Sequence, residues 1–477
     1  MTETVKMKGE RMKTRKGYKT YPLTAAQKYH FYYSQYSPGQ EILNVGSSLT
    51  IEFELNIEEL RKAIYKAYER NESMRARLVY DTKEKQWYQY IVDKEEREIE
   101  YVDFSGKTME EAEAQMTAWT RIPFGQDEPM NKIVIIKTPD RFEGMYIVGD
   151  HRFLDAQSLI GFMKDVIELY CNANFENVPY PADTRSYIEQ LEKDYAYEAG
   201  SKAQARDRAY FHKLFEAPEP IYNGIEGKKR LDEARRATGN PNLRAAPTGS
   251  DSFAAAIDIF HLEGEPTQRL MTFCEEQHIS LQCLLIMGIR TYLQKMNNCD
   301  DVSMMVAYAR RATLLEKKSG GTRIHSFPFR TIIPEDKSFL EGILEIRDKQ
   351  NEVFRYVNFD PVECMNYKHQ VYNPPRGMGY ETVALTYQPA TLREKGLVDL
   401  GDIRYKTKRY GNGYYADGLY LTVMHRPEDN GLDFSFEHQI KAYSKETLEL
   451  FYYYMCKIMF KGIENPNLKI GDIIKLV

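Results

Sequence analysis

The six cysteines include no C-x-x-C pair and lie scattered through a 477-residue chain: Cys171, Cys274, Cys283, Cys299, Cys364 and Cys456. That excludes the dense disulfide framework of small secreted proteins and favours buried or reduced thiols in a reducing cytosol. No stretch approaches the ~20 apolar residues of a membrane-spanning helix. The N-terminus lacks the apolar segment of a secretory signal. Excess charge is also missing: Lys+Arg is 65 and Asp+Glu is 70, a net −5, which gives no global pull toward nucleic acid. There is no G-x-x-x-x-G-K-[ST] loop, no G-x-G-x-x-G before a helix, no G-x-S-x-G elbow and no H-E-x-x-H pair, so no nucleotide, serine-hydrolase or metal site is assigned. Repeats and low-complexity blocks are absent as well. What remains is a soluble, cytoplasmic protein that is 42% hydrophobic, enough to bury a sizeable core.

Periodicity gives mixed α/β structure in both halves. Leu49, Ile51, Phe53 and Leu55 alternate as a strand, and Asn56 with Glu59 resembles a capping box for the helix that follows. Short strands are expected at 77–80, 87–92, 99–104, 133–137 and 145–148, with a helix at 108–120. Leu159, Phe162, Met163, Val166, Ile167 and Tyr170 then mark one face of a helix against a core. Residues 186–216 read as charged helices. The stretch 217–252, with Pro218, Pro220, Pro241 and Pro247, reads as a linker or long loop. A second unit opens with a strand at 257–262, a helix at 265–278 and an all-round apolar, buried helix capped by Ser280. A strand at 302–307 and a terminal helix after Ser444 complete it. The expected division is a basic tail (1–20), an N-terminal lobe (21–182), connecting helices and linker (183–252) and a C-terminal lobe (253–477).

Chemistry concentrates in the loop 149–157 between a strand and a helix. His151 can exchange a proton near neutral pH, and Asp155 follows four residues later. A strand and a helix fix such a loop rigidly. The run DHRFLDAQSL resembles the HHxxxDGxS motif of nonribosomal peptide synthetase condensation domains. His151, Asp155 and Ser158 match; Asp150 stands in place of the first His and Ala156 in place of Gly. YPLTAAQ (21–27), SMRARL (73–78), Tyr210-Phe211, IHSFPFR (324–330) and LTYQP (385–389) resemble further anchors of that family, in its order.

The resemblance implies a chloramphenicol-acetyltransferase-like fold, two lobes forming a V with a central tunnel. It implies a stand-alone condensation-type acyltransferase that joins a carrier-bound acyl or aminoacyl thioester to an amine or hydroxyl acceptor. No cofactor is expected to be bound. Phosphopantetheine arrives on an acyl or peptidyl carrier protein, and a separate activating enzyme loads it. His151 takes the catalytic role, as general base or as the partner that positions the nucleophile. Asp155 and Arg75 are expected to pair and hold the loop. Asp150, Ala156, Ser158, His325 and Tyr387 are candidate substrate contacts. Asp150 as a carboxylate either raises the pKa of His151 or fixes its tautomer. Ala156 crowds a place where the family wants close approach or φ > 0. An acyl-CoA-dependent transferase of the same fold, an epimerisation domain and a non-catalytic scaffold are the alternatives. The basic residues Lys228, Lys229, Arg230, Arg235, Arg236 and Arg244 belong either to a solvated loop or to a docking surface for an acidic carrier.

Overall fold

The computed structural model describes residues 14–35, 39–389, 404–426 and 429–477. The first half is built on a five-stranded sheet ordered Tyr405–Tyr410, Asn44–Ile51, Glu143–Asp150, Asn131–Lys137 and Glu100–Asp103. Both of its faces are covered. Ile133, Ile135, Met145 and Ile147 point toward helices Ile57–Arg70 and Ala156–Asn174. Val134, Ile136, Tyr146 and Val148 point toward helix Met109–Thr120. Burial on both faces explains why these strands read as apolar runs instead of strict alternation. Asn56 caps its helix by accepting from the backbone N–H groups of Glu58 and Glu59.

The second half holds a six-stranded sheet ordered His325–Ile332, Asp301–Tyr308, Ala384–Gln388, Leu419–His425, Leu432–Gln439 and Ala255–Leu262. Helix Leu281–Asn297 lies between helices Phe339–Val353 and Lys445–Glu464 and the sheet. That enclosure requires apolar residues around its whole circumference. No helix among the described residues is long and apolar enough to cross a membrane.

Three expectations change. Residues 14–20 are no tail: Thr14–Arg15 and Tyr18–Pro22 are strands of a four-stranded sheet, and Arg15 pairs with Asp127. Lys6, Lys8, Arg11 and Lys13 lie outside the described residues. Residues 217–252 are no plain linker, because Lys229–Thr238 is a helix whose Leu231 and Ala234 pack with Tyr222, Leu243 and Ala246 in a small core. Its basic groups are partly engaged inward. Arg230 donates to the carbonyl of Ala442 (2.7 Å), Arg235 to that of Leu243 (3.0 Å) and Arg244 to that of Glu219 (2.9 Å). Finally, Tyr405–Tyr410 leaves the second half and pairs antiparallel with Asn44–Ile51. Asn412 then donates to the carbonyls of Ile42 and Asn44 (both 3.1 Å). The two halves are therefore joined by shared sheet as well as by side chains.

Candidate functional site

Strand Glu143–Asp150 delivers His151 to the wall between the halves, and the His151 backbone N–H donates to the Leu43 carbonyl (2.7 Å). The imidazole lines a cavity of about 140 Å³. Asn44, Tyr410 and Asn412 contribute to its walls from the shared sheet and its extension, and Met305, Ser326 and Ala384 from the second half. Nδ1 of His151 is buried without a hydrogen-bond partner, so proton exchange with the cavity has to run through Nε2. Burial holds the imidazole below its ordinary pKa, against the pull of the Asp155 carboxylate. The ring is therefore neutral at pH 7 and able to accept a proton.

His30, from helix Ala25–Ser34, stacks on His151 with ring centroids 3.9 Å apart and planes at 20°. Burial lowers the His30 pKa strongly, and the neighbouring His151 and Arg152 add to the shift. Two uncharged imidazoles thus lie face to face in the cavity wall, His151 at the position the motif assigns to chemistry. His30 carries no motif signal; only its place shortly after the YPLTAAQ segment, on the helix that segment opens, marks it.

Asp155 is the N-cap of helix Ala156–Asn174, accepting from the Ser158 N–H (2.9 Å). Its ion partner is Arg311, not Arg75. Arg311 Nη1 donates to Oδ2 (2.7 Å) and Nη2 to Oδ1 (2.9 Å), while the Arg323 N–H reaches Oδ2 (3.0 Å). The Ser158 hydroxyl donates to the Gly321 carbonyl (2.5 Å), and Arg311 reaches the same carbonyl (2.8 Å). Burial opposes the Asp155 charge, but Arg311 and the backbone donors hold the carboxyl below its usual range. Arg75 turns instead to the backbone carbonyls of Tyr68 (2.9 Å) and Asp93 (2.7 Å). The reason is positional: Arg75 ends a short 3₁₀ turn at the strand Ala76–Asp81, while Arg311 follows strand Asp301–Tyr308 across the interface. A basic pair, Arg310-Arg311, one residue beyond the end of strand Asp301–Tyr308 is the signal available for it.

The candidate contacts also sort by position. Asp150 is buried and bound side-on by Arg152, with Nε at 2.9 and 3.1 Å from its two oxygens. It makes no hydrogen bond to His151, so it does not set the tautomer. The net shift of His151 is downward, set first by burial, and Asp150 acts on it less than burial or Asp155 does. Ser158 is engaged in the Asp155 cluster. Ala156 is the first helical residue and lacks a positive φ, so its methyl meets no backbone demand for glycine. His325 is fully buried: its Nε2 accepts from Arg310 (2.8 Å) and its Nδ1–H donates to the Val357 carbonyl (2.9 Å). Its chain neighbours Ile324 and Ser326 line the cavity in its stead. Tyr387 packs at the second core and meets His425 (2.8 Å), away from the cavity walls. Of the predicted residues, the structure therefore brings together His151, Asp155 and Ser158, and places only His151 on the cavity.

A second cavity of about 190 Å³ shares Tyr33, Met305, Ala384 and Asp417 with the first. A third, of about 390 Å³, shares Pro328, Lys368 and Glu381 with the second. The three lie side by side, each sharing wall residues with the next.

Known proteins similar in sequence and those similar in structure point the same way. A plipastatin synthase subunit of Bacillus subtilis (strain 168) is 22% identical over 457 residues, covering 95% of this chain and 17% of that protein. Surfactin synthase subunit 1 of the same organism is 21% identical, covering 95% of this chain and 12% of that protein. The chain thus spans less than a fifth of these relatives. The first condensation domain of the calcium-dependent antibiotic synthetase, in complex with a substrate analogue, superimposes with a TM-score of 0.77 at 19% identity, covering 95% of this chain and 98% of that one. A variant of the starter condensation domain of rhizomide synthetase RzmA, in complex with C8-CoA, gives 0.77 at 18% identity, covering 95% and 96%. These neighbours share the two-lobed chloramphenicol-acetyltransferase-like fold expected from the sequence. The condensation-domain family model matches residues 18–476, and the chain belongs to that family.

Proposed function

We propose that the protein is a condensation-type acyltransferase with His151 as its catalytic residue. The observation that carries this reading is a neutral, half-buried imidazole in the wall of a cavity lined by both halves. An amine or hydroxyl acceptor lying in the cavity attacks the carbonyl carbon of a thioester. His151 Nε2 takes the acceptor's proton, or holds the acceptor by a hydrogen bond, as the new C–N or C–O bond forms. The tetrahedral intermediate then collapses, the C–S bond breaks, and the thiolate leaves with the proton. General-base assistance of this kind is worth about 10²–10⁴-fold, and alignment in an enclosed channel adds to it.

The donor in this reading is an acyl or aminoacyl group on the phosphopantetheine arm of a carrier protein, loaded by a separate activating enzyme. Family membership supports the carrier. A second donor, free acyl-CoA, is favoured by one observation: a structural neighbour is in complex with C8-CoA.

The test is intact-mass spectrometry of acyl-loaded carrier proteins incubated with the protein and an amine pool, with acyl-CoA donors and His151→Ala in parallel. Acyl loss matched by a condensed product, reduced about a hundredfold or more in the variant, is the expected result. Transfer from CoA alone reassigns the donor. No transfer from either donor, or full activity in His151→Ala, overturns the catalytic reading.

A further inference from the structure

Asp417 lies in the segment between strands Tyr405–Tyr410 and Leu419–His425 and lines both the His151 cavity and the one beside it. The other carboxylates in these walls are paired. Glu437 accepts from Arg409 (2.9 Å) and Glu381 from Lys368 (2.6 Å). Asp417 has no lysine or arginine partner among the described residues. With His30 and His151 held neutral and those two ion pairs balanced, its carboxylate is the unbalanced charge at the junction of the cavities.

The surroundings suit a cation. Tyr29, Tyr33, Tyr415 and Tyr420 line the same cavity. Tyr29 and Tyr33 share a hydrogen bond between their hydroxyls (3.0 Å), and the Tyr415 and Tyr420 rings lie 5.9 Å apart. Burial pushes all four phenols up, so they remain neutral. Neutral phenols offer oxygen lone pairs, and their ring faces attract positive charge. Asp417 is half-buried, and a carboxylate drawn out of water without a counter-ion is costly. Burial pushes the Asp417 carboxyl up to about 6, while Tyr33 and Tyr415 draw it down. A bound cation would relieve that cost.

We propose that Asp417, framed by Tyr29, Tyr33, Tyr415 and Tyr420, is a binding site for a primary ammonium group of a substrate, and so selects an amine-bearing partner for the reaction at His151. The ammonium donates one N–H to the carboxylate and the others to phenol oxygens. The inference rests on reading the cavity as a substrate channel, but its test measures binding and needs no turnover. Failed acyl transfer and failed ammonium binding are therefore separate results.

The experiment is calorimetric titration of the full chain with butylammonium and with its neutral analogue butan-1-ol. Butylammonium is expected to bind about tenfold more tightly than the alcohol, or better. Asp417→Asn should abolish that preference while retaining the wild-type circular dichroism spectrum. With a carboxyl near 6, lowering the pH from 7.5 to 5.0 should weaken butylammonium about tenfold in the unmodified protein, because the carboxylate is protonated while the amine stays charged. That arm holds even if the variant fails to fold. Equal binding of the two probes, no binding of butylammonium, or an affinity unchanged by pH would overturn the proposal.

Discussion

Replacing Arg311 with Met removes the cation from a carboxylate that is itself fully buried. Arg311 donates twice to Asp155, once to the Ser158 hydroxyl (3.0 Å) and once to the Gly321 carbonyl. Breaking a buried pair from one side costs about 3–5 kcal/mol. Asp155 keeps the backbone N–H donors of Ser158 and Arg323, which places the expected loss near the lower end, about 3 kcal/mol. At about 2–4 °C per kcal/mol for a lobe of this size, the melting midpoint should fall by roughly 6–12 °C. The sign of the pH dependence is the sharper test. In the unmodified protein the Asp155 carboxyl is depressed, so its contribution is present at neutral pH and is lost as pH falls below about 4. Without Arg311, burial dominates and the carboxyl rises above its unfolded value. The variant's deficit should then be largest at pH 7 and shrink as pH falls toward 4. Urea denaturation followed by circular dichroism at pH 7.0 and 4.5 measures both. A deficit under about 1 kcal/mol at pH 7, or one that grows on acidification, refutes the assignment of Arg311 as the charge partner of Asp155.

Removing the second imidazole with His30→Ala should admit water to His151 and relieve the burial that depresses it. The acid limb of kcat/KM, expected below about 6.5 in the unmodified protein, should move upward; an unmoved limb would show that His30 does not shape the environment of His151. Restoring the family's histidine with Asp150→His should destabilise rather than activate, since it leaves Arg152 buried without its anion, at about 3–5 kcal/mol in thermal or urea unfolding. Gly321→Ala forces a side chain at φ +78°, where its Cβ would come within 2.4 Å of the Tyr187 ring. It should lower stability by at least ~1 kcal/mol and loosen the carbonyl that receives Arg311 and Ser158. A double variant with Arg311→Met should then cost less than the sum of the two.

The fold was legible where periodicity was strong. The strand–loop–helix around His151 and the all-round apolar helix Leu281–Asn297 follow from burial, which an amino-acid sequence records directly. The helix Lys229–Thr238 was obscured by flanking prolines and glycines and by a largely charged surface; only Leu231 and Ala234 are buried on it. The crossing strand Tyr405–Tyr410 has the sequence YKTKRY, with basic residues between its buried tyrosines, and its partner lies in the other half. No local pattern encodes a pairing at that separation. At the site, His151 and Asp155 stood out because motif residues share one loop. Arg311, His30 and Asp417 come from separate segments and meet only in the fold. Arg75 was expected to pair with Asp155 because SMRARL resembles a family anchor, and such a resemblance does not fix which cation the fold brings to the carboxylate; that cation is Arg311.

The shared strand also sets an order of assembly. Asn44–Ile51 is hydrogen-bonded on one side by Glu143–Asp150 and on the other by Tyr405–Tyr410. During synthesis the second neighbour emerges roughly 350 residues after the first strand, on the order of tens of seconds later at typical elongation rates. Until then the nascent first half presents an open row of backbone donors and acceptors, a template for unwanted pairing. A gene fragment ending before residue 405 should therefore yield an aggregation-prone product, and a peptide spanning 404–412 supplied in trans should compete for that edge and improve its solubility.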